Sequence, residues 1–548
     1  MAITDETASS NPSGPLRDRT DLLLIGLLLV IGMAVRAWVI AQTEVAARDS
    51  IGYIRYSLAF ETKPWQQVLR ENHQHPGYPL SILAMSWPIR ALCGGTTPEA
   101  MQLSAQLVTA LSGALLAVPM YLLGRFLFNR RVGFWSALLF QVLPVSGQLL
   151  SDGVSEGLFL LLCTTAMLLA VRAVEGSRPW LFAACGLCSG LAYFTRPEGA
   201  VVVLATLIVL LVMQFVPARR RAWRQIVFCG SALVAGALAT GGLHTLTIGG
   251  FSNKPSVKGI INGSPAATSA VFKQDAPDAR VPRRAGLHAL IWADTWRENT
   301  RPLLRSLWAV AREFCQALHY FCVVPLFLGF WWHKERLRRI PGVWVLAAIC
   351  LIYLAVLCRL GVKTGYVSDR HVMVLVLLAT YLTVAGFLDL PARLLARFQA
   401  ARAGDVPPVP ALRPRRYPGV LALAALLVVT GICLSETLQP LHGNRAGHHA
   451  AGRWLAEHVR PGDIVDDDHF WAHYYAGLVF EEGKPTTHGK PGKRFVVISR
   501  SPHRGKARAR DEIERRLRNR GASLVFHWPA DGPEDRAQVV VYLLRDRK

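Results

Sequence analysis

Apolar segments of about 20 residues recur along this chain of 548 residues, and they limit its fold more than any other feature. A helix needs roughly 20 apolar residues to span a bilayer. Runs close to that length occupy 22–42, 101–128, 132–147, 154–171, 180–194, 200–216, 226–248, 314–332, 343–358, 372–388 and 420–434. The expected fold class is a polytopic α-helical membrane protein with about eleven transmembrane helices. Composition agrees, since 52% of residues are hydrophobic and 18% charged, where soluble proteins carry about a quarter charged residues. The ten cysteines lie in or beside apolar segments and none follows Cys433, so the polar C-terminal region is expected to hold no disulfide. Cys185 and Cys188 form a CxxC inside an apolar run and read as two small buried side chains. The first 21 residues are polar and lack an early apolar core with a cleavage site, so no cleaved signal peptide is expected.

Net charge is +24. In a soluble domain that would suggest nucleic acid, but Lys and Arg also gather in the cytoplasmic loops of membrane proteins, and no nucleic-acid partner is expected. The short segment 77–92, with Pro79 and Pro88, decides the topology. If it lies along the outer surface and the N-terminus is inside, every short basic loop falls on one side: Arg125, Arg130 and Arg131; Arg172 and Arg178; Arg219, Arg220, Arg221 and Arg224; Lys334, Arg336, Arg338 and Arg339; and the linker 391–416. Counting it as a span would invert everything after it, against the positive-inside pattern. It reads as a juxtamembrane outer helix. The expected organisation is a cytoplasmic tail at 1–20, a transmembrane domain at 21–436 with outer loops 43–100 and 249–312, and an extracytoplasmic domain at 437–548.

That last region alternates helix (450–459), strand (463–465), helix (469–478), strand (495–499), helix (506–520, stopped by Gly521) and strands 523–527 and 538–544. The alternation predicts a small α/β domain with a mainly parallel sheet. It has no Gly-rich phosphate loop, so no nucleotide is assigned. The outer loop 249–312 holds a turn signal at Asn262 and Gly263 and a helix-like stretch at 292–307. Long loops of this kind are functional or disordered, and this one is expected to cover a site.

On this parity the outer face receives RDSIGYIRYSLAFETKPWQQVLRENHQHPGYPL, residues 48–80, with Asp49 where the first span leaves the membrane. A lone carboxylate at such a boundary can be a solvated flank or a helix cap. Asp49 has company that points further: Arg48 and Arg55 for anionic groups, Tyr53 and Tyr56 for stacking and hydrogen bonding, then His73, His75, Pro76, Gly77 and Tyr78. A base that takes a proton from a hydroxyl, beside cations that hold a phosphate, is what transfer from a lipid phosphate requires. Asp49 is therefore the expected catalytic base. Asp152 and Glu156 are four apart and would share a helix face, and Asp152 reads equally as a helix N-cap. Arg36 lies inside the first span, where a charge costs about 3 kcal/mol, and is expected to snorkel outward or to contact phosphate. Arg196 and Glu198 can pair across a tight Pro turn, and Arg370 can hold phosphate or mark the interface.

RDSIGYIRYSLAF followed by HPGYPL resembles the first outer loop of the GT-C membrane glycosyltransferases, the group that holds protein O-mannosyltransferases, lipid A aminoarabinose transferases and RgtA/B/C/D-like enzymes. YLLGRFLFNRRVGFWSALL before Asp152, GLAYFTRPEGAVVVL around Arg196 and DRHVMVLVLL around Arg370 extend the resemblance over roughly residues 20–390. It implies a polyprenyl-phosphate sugar donor, a glycan, lipid or protein hydroxyl acceptor, inversion at the anomeric centre, and a site on the outer side of the plasma (inner) membrane. Position by position, Asp49 matches the family's first-loop acid and Asp152 its second outer acid. Basic residues among Arg55, His75, Arg196, Lys363 and Arg370 would stabilise the leaving phosphate, with Tyr53 and Tyr78 beside the substrate. Two positions differ from the family's pattern. Ser50 stands where mannosyltransferases often have a second acid, and SGQLLSD lacks an Arg before Asp152.

No cofactor is required on this reading. A divalent metal is possible but unsupported: the first loop has no DxD pair, and Asp466, Asp467 and Asp468 before His469 and His473 read as caps of the helix there. The alternatives are a secondary transporter, which would place ionisable groups near the midplane, and a non-catalytic relative that binds a partner through its C-terminal domain.

Overall fold

The computed structural model describes residues 18–255, 257–258, 302–403, 417–467, 469–481, 492–500 and 504–544. The Asn262–Gly263 turn, the start of the helix-like stretch at 292–301, the linker residues 404–416 and Asp468 lie outside the described residues. In chain order the helices of the first part are α1 (Arg19–Ala41), α2 (Arg48–Thr62), α3 (Trp65–Glu71), α4 (Gly77–Cys93), α5 (Pro98–Leu115), α6 (Ala117–Leu127), α7 (Arg130–Val142), α8 (Pro144–Leu149) and α9 (Glu156–Gly176). They continue as α10 (Pro179–Thr195), α11 (Ala200–Val212), α12 (Trp223–Ile248), α13 (Pro302–Leu318), α14 (Val323–Arg339), α15 (Val343–Thr364), α16 (Met373–Ala403) and α17 (Tyr417–Thr437).

Among the described residues, eight helices, with α5 and α6 counted as one, are long and apolar enough to cross a membrane, and nine if the α13–α14 pair counts as a span. Two of the eleven expected runs, 132–147 and 180–194, fall outside this count by length, although both still lead from the end that holds Arg130 and Glu175 to the end that holds Glu156 and Arg196. The first is broken at Pro144 into helices of 13 and 6 residues, and the second is α10, whose 17 residues stand at the short end of what spans a bilayer. The run at 314–332 bends by 94° between α13 and the next helical turn, at His319, whose backbone is left-handed with φ 69°. Lipid supplies no hydrophobic drive between helices, so close backbone approach matters. A Cβ on Gly186 of α10 would stand 2.0 Å from the Leu233 carbonyl oxygen of α12, and one on Gly236 of α12 would stand 2.3 Å from that of Ala183.

Charges separate the two ends of the bundle. Asp21, fully buried near the start of α1, pairs with Arg125 at 2.7 Å and Arg130 at 2.9 Å. Arg336 donates to the Phe128 carbonyl at 2.8 Å, Arg219 to the Arg339 carbonyl at 3.0 Å, and the Gly342 N–H to Glu175 at 3.0 Å. The basic loops expected on one side are thus joined to one another in space. Helix α1 has 23 residues, about 34 Å at 1.5 Å per residue, and Asp49 follows its far end. Segment 77–92 forms α4, with Pro88 inside, and is not among the candidate spans.

The polar stretch after α1 is helical, not a loop: it forms α2, α3 and α4, at the end of the bundle away from Asp21. The C-terminal unit contains α18 (Ala446–His458), β1 (Ile464–Asp467), α19 (Trp471–Tyr475), β2 (Arg494–Ser499), α20 (Arg504–Asn519), β3 (Ser523–Trp528) and β4 (Val539–Leu544). Its sheet has the order β1-β2-β4-β3 and is mixed: β1 and β2 are parallel, while β4 runs antiparallel to both β2 and β3. A mainly parallel sheet was the wrong expectation, because parallel neighbours need a crossover of a dozen or more residues and only the segment 529–538 joins β3 to β4. Asp467 accepts the backbone N–H groups of His469, Ala472 and His473, so a carboxylate of this run does cap the helix that follows.

Trp471, Tyr474 and Tyr475 of α19 pack into one apolar cluster with Val45, Ile51, Tyr53, Ile54 and Tyr78. Trp471 Nε1 donates to the Ala46 carbonyl at 2.8 Å, and Tyr475 Oη donates to Gln102 at 2.7 Å and accepts from the Ala46 N–H at 2.7 Å. The C-terminal unit therefore docks on the elements that carry Asp49.

Candidate active site

Asp49 is the second residue of α2, in a first turn where the helix dipole favours a negative charge. Its side chain is 47% exposed, and one oxygen accepts from Arg370 Nη1 at 2.7 Å. That bond joins residues 321 apart in sequence. Arg370 lies in the turn before α16 and turns its Nε and Nη2 onto Glu156 Oε1, at 2.9 and 2.8 Å. Arg196, just after α10, donates to the same oxygen at 2.6 Å and reaches Glu198 at 3.4 Å. Glu156, the first residue of α9 and 3% exposed, is thus held by two guanidinium groups, and its Oε2 has no hydrogen-bond partner among the described residues. Burial disfavours the Arg370 charge, but the Glu156 and Asp49 carboxylates outweigh it and hold the guanidinium above the usual arginine range.

A second layer fixes this junction. Ser50 is buried and donates to the Gly153 carbonyl at 2.5 Å. Position 50, where the resemblance to mannosyltransferases would lead one to expect a second acid, is therefore turned into the protein, away from the exposed Asp49. Tyr53 Oη lies 3.0 Å from Ser155 Oγ, which also receives Arg196 Nη1 at 3.3 Å. Burial, reinforced by Glu156, pushes the Tyr53 phenol up to about 12, so it stays neutral. Asp152 lies in the turn before α9, whose N-cap is Ser155; it is neither that helix's N-cap nor on one helical face with Glu156. One of its oxygens accepts the Gly153 N–H at 2.8 Å and the other lies 2.8 Å from His442 Nε2.

Several expected site residues stand elsewhere. His75 is buried with both ring nitrogens engaged, Nδ1 at 2.6 Å from the Tyr193 carbonyl and Nε2 at 2.9 Å from Ser252 Oγ. Burial, then the neighbouring His244, pushes the His75 imidazole down to about 3, so it is neutral. Tyr78 is fully buried, with its hydroxyl on the Ala105 carbonyl at 2.9 Å and on Thr109 at 2.7 Å. Both support the site from behind. Arg55 is exposed on α2 and lies 5.6 Å from the Phe470 ring of the C-terminal unit. Lys363 is exposed in the last turn of α15. Arg36 is fully buried and donates to the Gly32 carbonyl at 2.8 Å, so the outward snorkel is ruled out.

Two contributors had no signal in the sequence reading. Lys254, just beyond α12, lies within electrostatic reach of Glu198, Arg196, Glu156 and Arg370; burial lowers its amine below the usual lysine range, against the pull of Glu198. His442 follows α17, at the start of the C-terminal region, before the first helix expected there. Among the described residues, no group of three His, Cys, Asp or Glu side chains is arranged to hold a metal.

A helical bundle with α2, α3 and α4 after its first long apolar helix, an acidic–basic junction beside them and a small mixed-sheet unit docked there defines a class: a polytopic helical membrane protein with an ArnT-like fold. The chain is similar over nearly its whole length to ArnT from Cupriavidus metallidurans bound to undecaprenyl phosphate, with 12% identity, 95% of this chain and 97% of that one covered, and a TM-score of 0.53. The apo state of the same protein gives 12% identity, 96% and 98% coverage and 0.51. The Archaeoglobus fulgidus oligosaccharyltransferase tethered with an acceptor peptide containing the NVT sequon gives 12% identity, 87% and 69% coverage and 0.50. Residues 95–240 match the family profile described as dolichyl-phosphate-mannose-protein mannosyltransferase. This stretch holds Asp152, Glu156, Arg196 and Glu198. No curated protein sequence matches the chain.

Proposed function

We propose that the protein is an inverting glycosyltransferase that moves a sugar from a polyprenyl-phosphate donor to a hydroxyl acceptor at the outer face of the plasma (inner) membrane, with Asp49 as general base. The observation that carries this reading is the single junction in which Arg370 bonds both the exposed Asp49 and the buried Glu156. The family profile, named for dolichyl-phosphate mannose, supports the donor class. So does the undecaprenyl phosphate bound to the ArnT structure of the same fold.

The chemistry follows from the charges. The Arg370 guanidinium fixes one Asp49 oxygen, and the carboxylate, 47% exposed, is accessible to a hydroxyl. As that hydroxyl's oxygen attacks the anomeric carbon, its proton passes to Asp49 and the bond from that carbon to the phosphate oxygen breaks. The electron pair leaves with the polyprenyl phosphate, and the cations around Glu156, namely Arg370, Arg196 and Lys254, meet the charge that develops. Glu156 is enclosed by two arginines and Asp152 is tied to His442, so neither is free to serve as a covalent nucleophile. A single displacement with inversion is the outcome this supports.

The test is a panel of polyprenyl-phosphate sugars supplied to the purified protein in proteoliposomes with hydroxyl acceptors. Release of free polyprenyl phosphate and a product of opposite anomeric configuration are expected. Retained configuration would refute the single-displacement mechanism.

A further inference from the structure

His442 stands where the last span passes into the C-terminal unit, and its Nε2 donates to Asp152 Oδ2 at 2.8 Å. The other Asp152 oxygen is held by the Gly153 N–H at 2.8 Å, so both carboxylate oxygens have a fixed direction. The His442 backbone is left-handed, with φ 54°, a conformation a residue with a Cβ enters only at a cost. Its surroundings impose it. Upstream, Thr437 Oγ1 donates to the Val142 carbonyl at 2.6 Å, and Gln148 donates to the Glu436 carbonyl at 3.1 Å. Downstream, the Arg445 N–H donates to the His442 carbonyl at 2.8 Å, and the Arg445 guanidinium lies 4.8 Å from the ring of the buried Trp471. The bundle fixes one side of His442 and the docked unit fixes the other.

The turn that carries Asp152 is also joined to the Asp49 helix. Gly153 receives Ser50, the residue beside Asp49, and Ser155 faces Tyr53. We propose that His442 is a positioning residue for sugar transfer: it holds the largely buried Asp152 carboxylate, whose side chain is 11% exposed, so that the accessible edge of that carboxylate orients the acceptor by accepting from its hydroxyl groups and the C-terminal unit completes the active site. This rests on the transferase reading above. It gives the link between span and C-terminal unit a role in acceptor binding that its composition does not suggest.

The experiment compares steady-state transfer by the full-length wild type, His442→Ala, His442→Gln, Asp152→Asn and the double variant His442→Ala/Asp152→Asn, with thermal midpoints recorded for each. His442→Ala is expected to lower kcat/KM for the acceptor by about 10-fold or more while the donor KM stays within about twofold. His442→Gln, whose amide N–H can still donate to Asp152, restores most of the loss. The double variant is no worse than Asp152→Asn alone, because residues acting as a unit are not additive. If His442→Ala fails to fold, His442→Leu, which keeps bulk and lacks the donor, carries the same comparison. An active wild type with an unaffected His442 variant, or single effects that multiply in the double variant, would overturn the positioning role alone. A folded wild type that transfers no sugar from any donor would overturn the transferase reading, and the role with it.

Discussion

Glu156 and Asp49 touch the same guanidinium but differ in burial, and the roles proposed for them are separated by stability and activity. Glu156 is 3% exposed and its Oε1 is shared by Arg196 and Arg370. Removing one partner of a buried charge network costs about 3–5 kcal/mol, and here it leaves two guanidinium groups facing each other. Glu156→Ala is therefore expected to lower the thermal midpoint by several degrees in detergent, whatever its activity. Asp49 is 47% exposed, and exposed ion pairs contribute about 0–1 kcal/mol, so Asp49→Asn is expected to melt close to the wild type. If the two variants melt alike, the division into a structural and a reactive carboxylate is wrong. The sequence exposed Asp49 because it is an isolated acid at the end of an apolar run with arginines and tyrosines around it. It gave no sign that Glu156 is shared, because its partners lie 40 and 214 residues away and the pairing depends on how four helices converge. His75 and Tyr78 misled for the converse reason: polar aromatic residues near a site look alike in sequence whether they face the substrate or fasten the scaffold.

Among the elements, the spans were legible and their breaks were not. Long apolar runs announce themselves because the bilayer demands about 20 residues, yet the interruption at Pro144 and the bend at His319 depend on which neighbours take over the freed backbone groups. The strands of the C-terminal unit were also legible within a residue or two, while their directions were not. The decisive feature, the short Pro- and Gly-containing link before β4, was present in the sequence and was passed over. Helix α19 was read longer than it is: its five helical residues pack tightly, with Trp471 5% exposed and Tyr474 fully buried. Truncating a large buried aromatic costs about 3–5 kcal/mol. Trp471→Ala is expected to release the C-terminal unit from the bundle, seen as faster proteolytic cleavage between α17 and α18 at unchanged helical content by circular dichroism. Unchanged cleavage would mean that the aromatic cluster is not what holds the unit down.

At the scale of the whole molecule, the arrangement has two ends. One gathers the basic loops around Asp21, and the other gathers the Asp49 helix, the Glu156 junction and the C-terminal unit. Charge bias in the sequence was enough to group the basic loops at one end, and the contacts among Asp21, Arg125, Arg219 and Arg336 join those loops in space. Nothing in composition could reveal that the C-terminal unit docks beside α2, since that depends on a few aromatic side chains more than 400 residues from their partners. The central claim is that an accessible carboxylate, held by Arg370 at the outer end of the bundle, takes the acceptor's proton. It is tested most directly by single-turnover sugar transfer in proteoliposomes, wild type against Asp49→Asn, with polyprenyl-phosphate binding measured in parallel. The account predicts a rate lower by about 100-fold or more, the scale of general-base catalysis, with binding little changed. Wild-type turnover in a folded Asp49→Asn variant would contradict it.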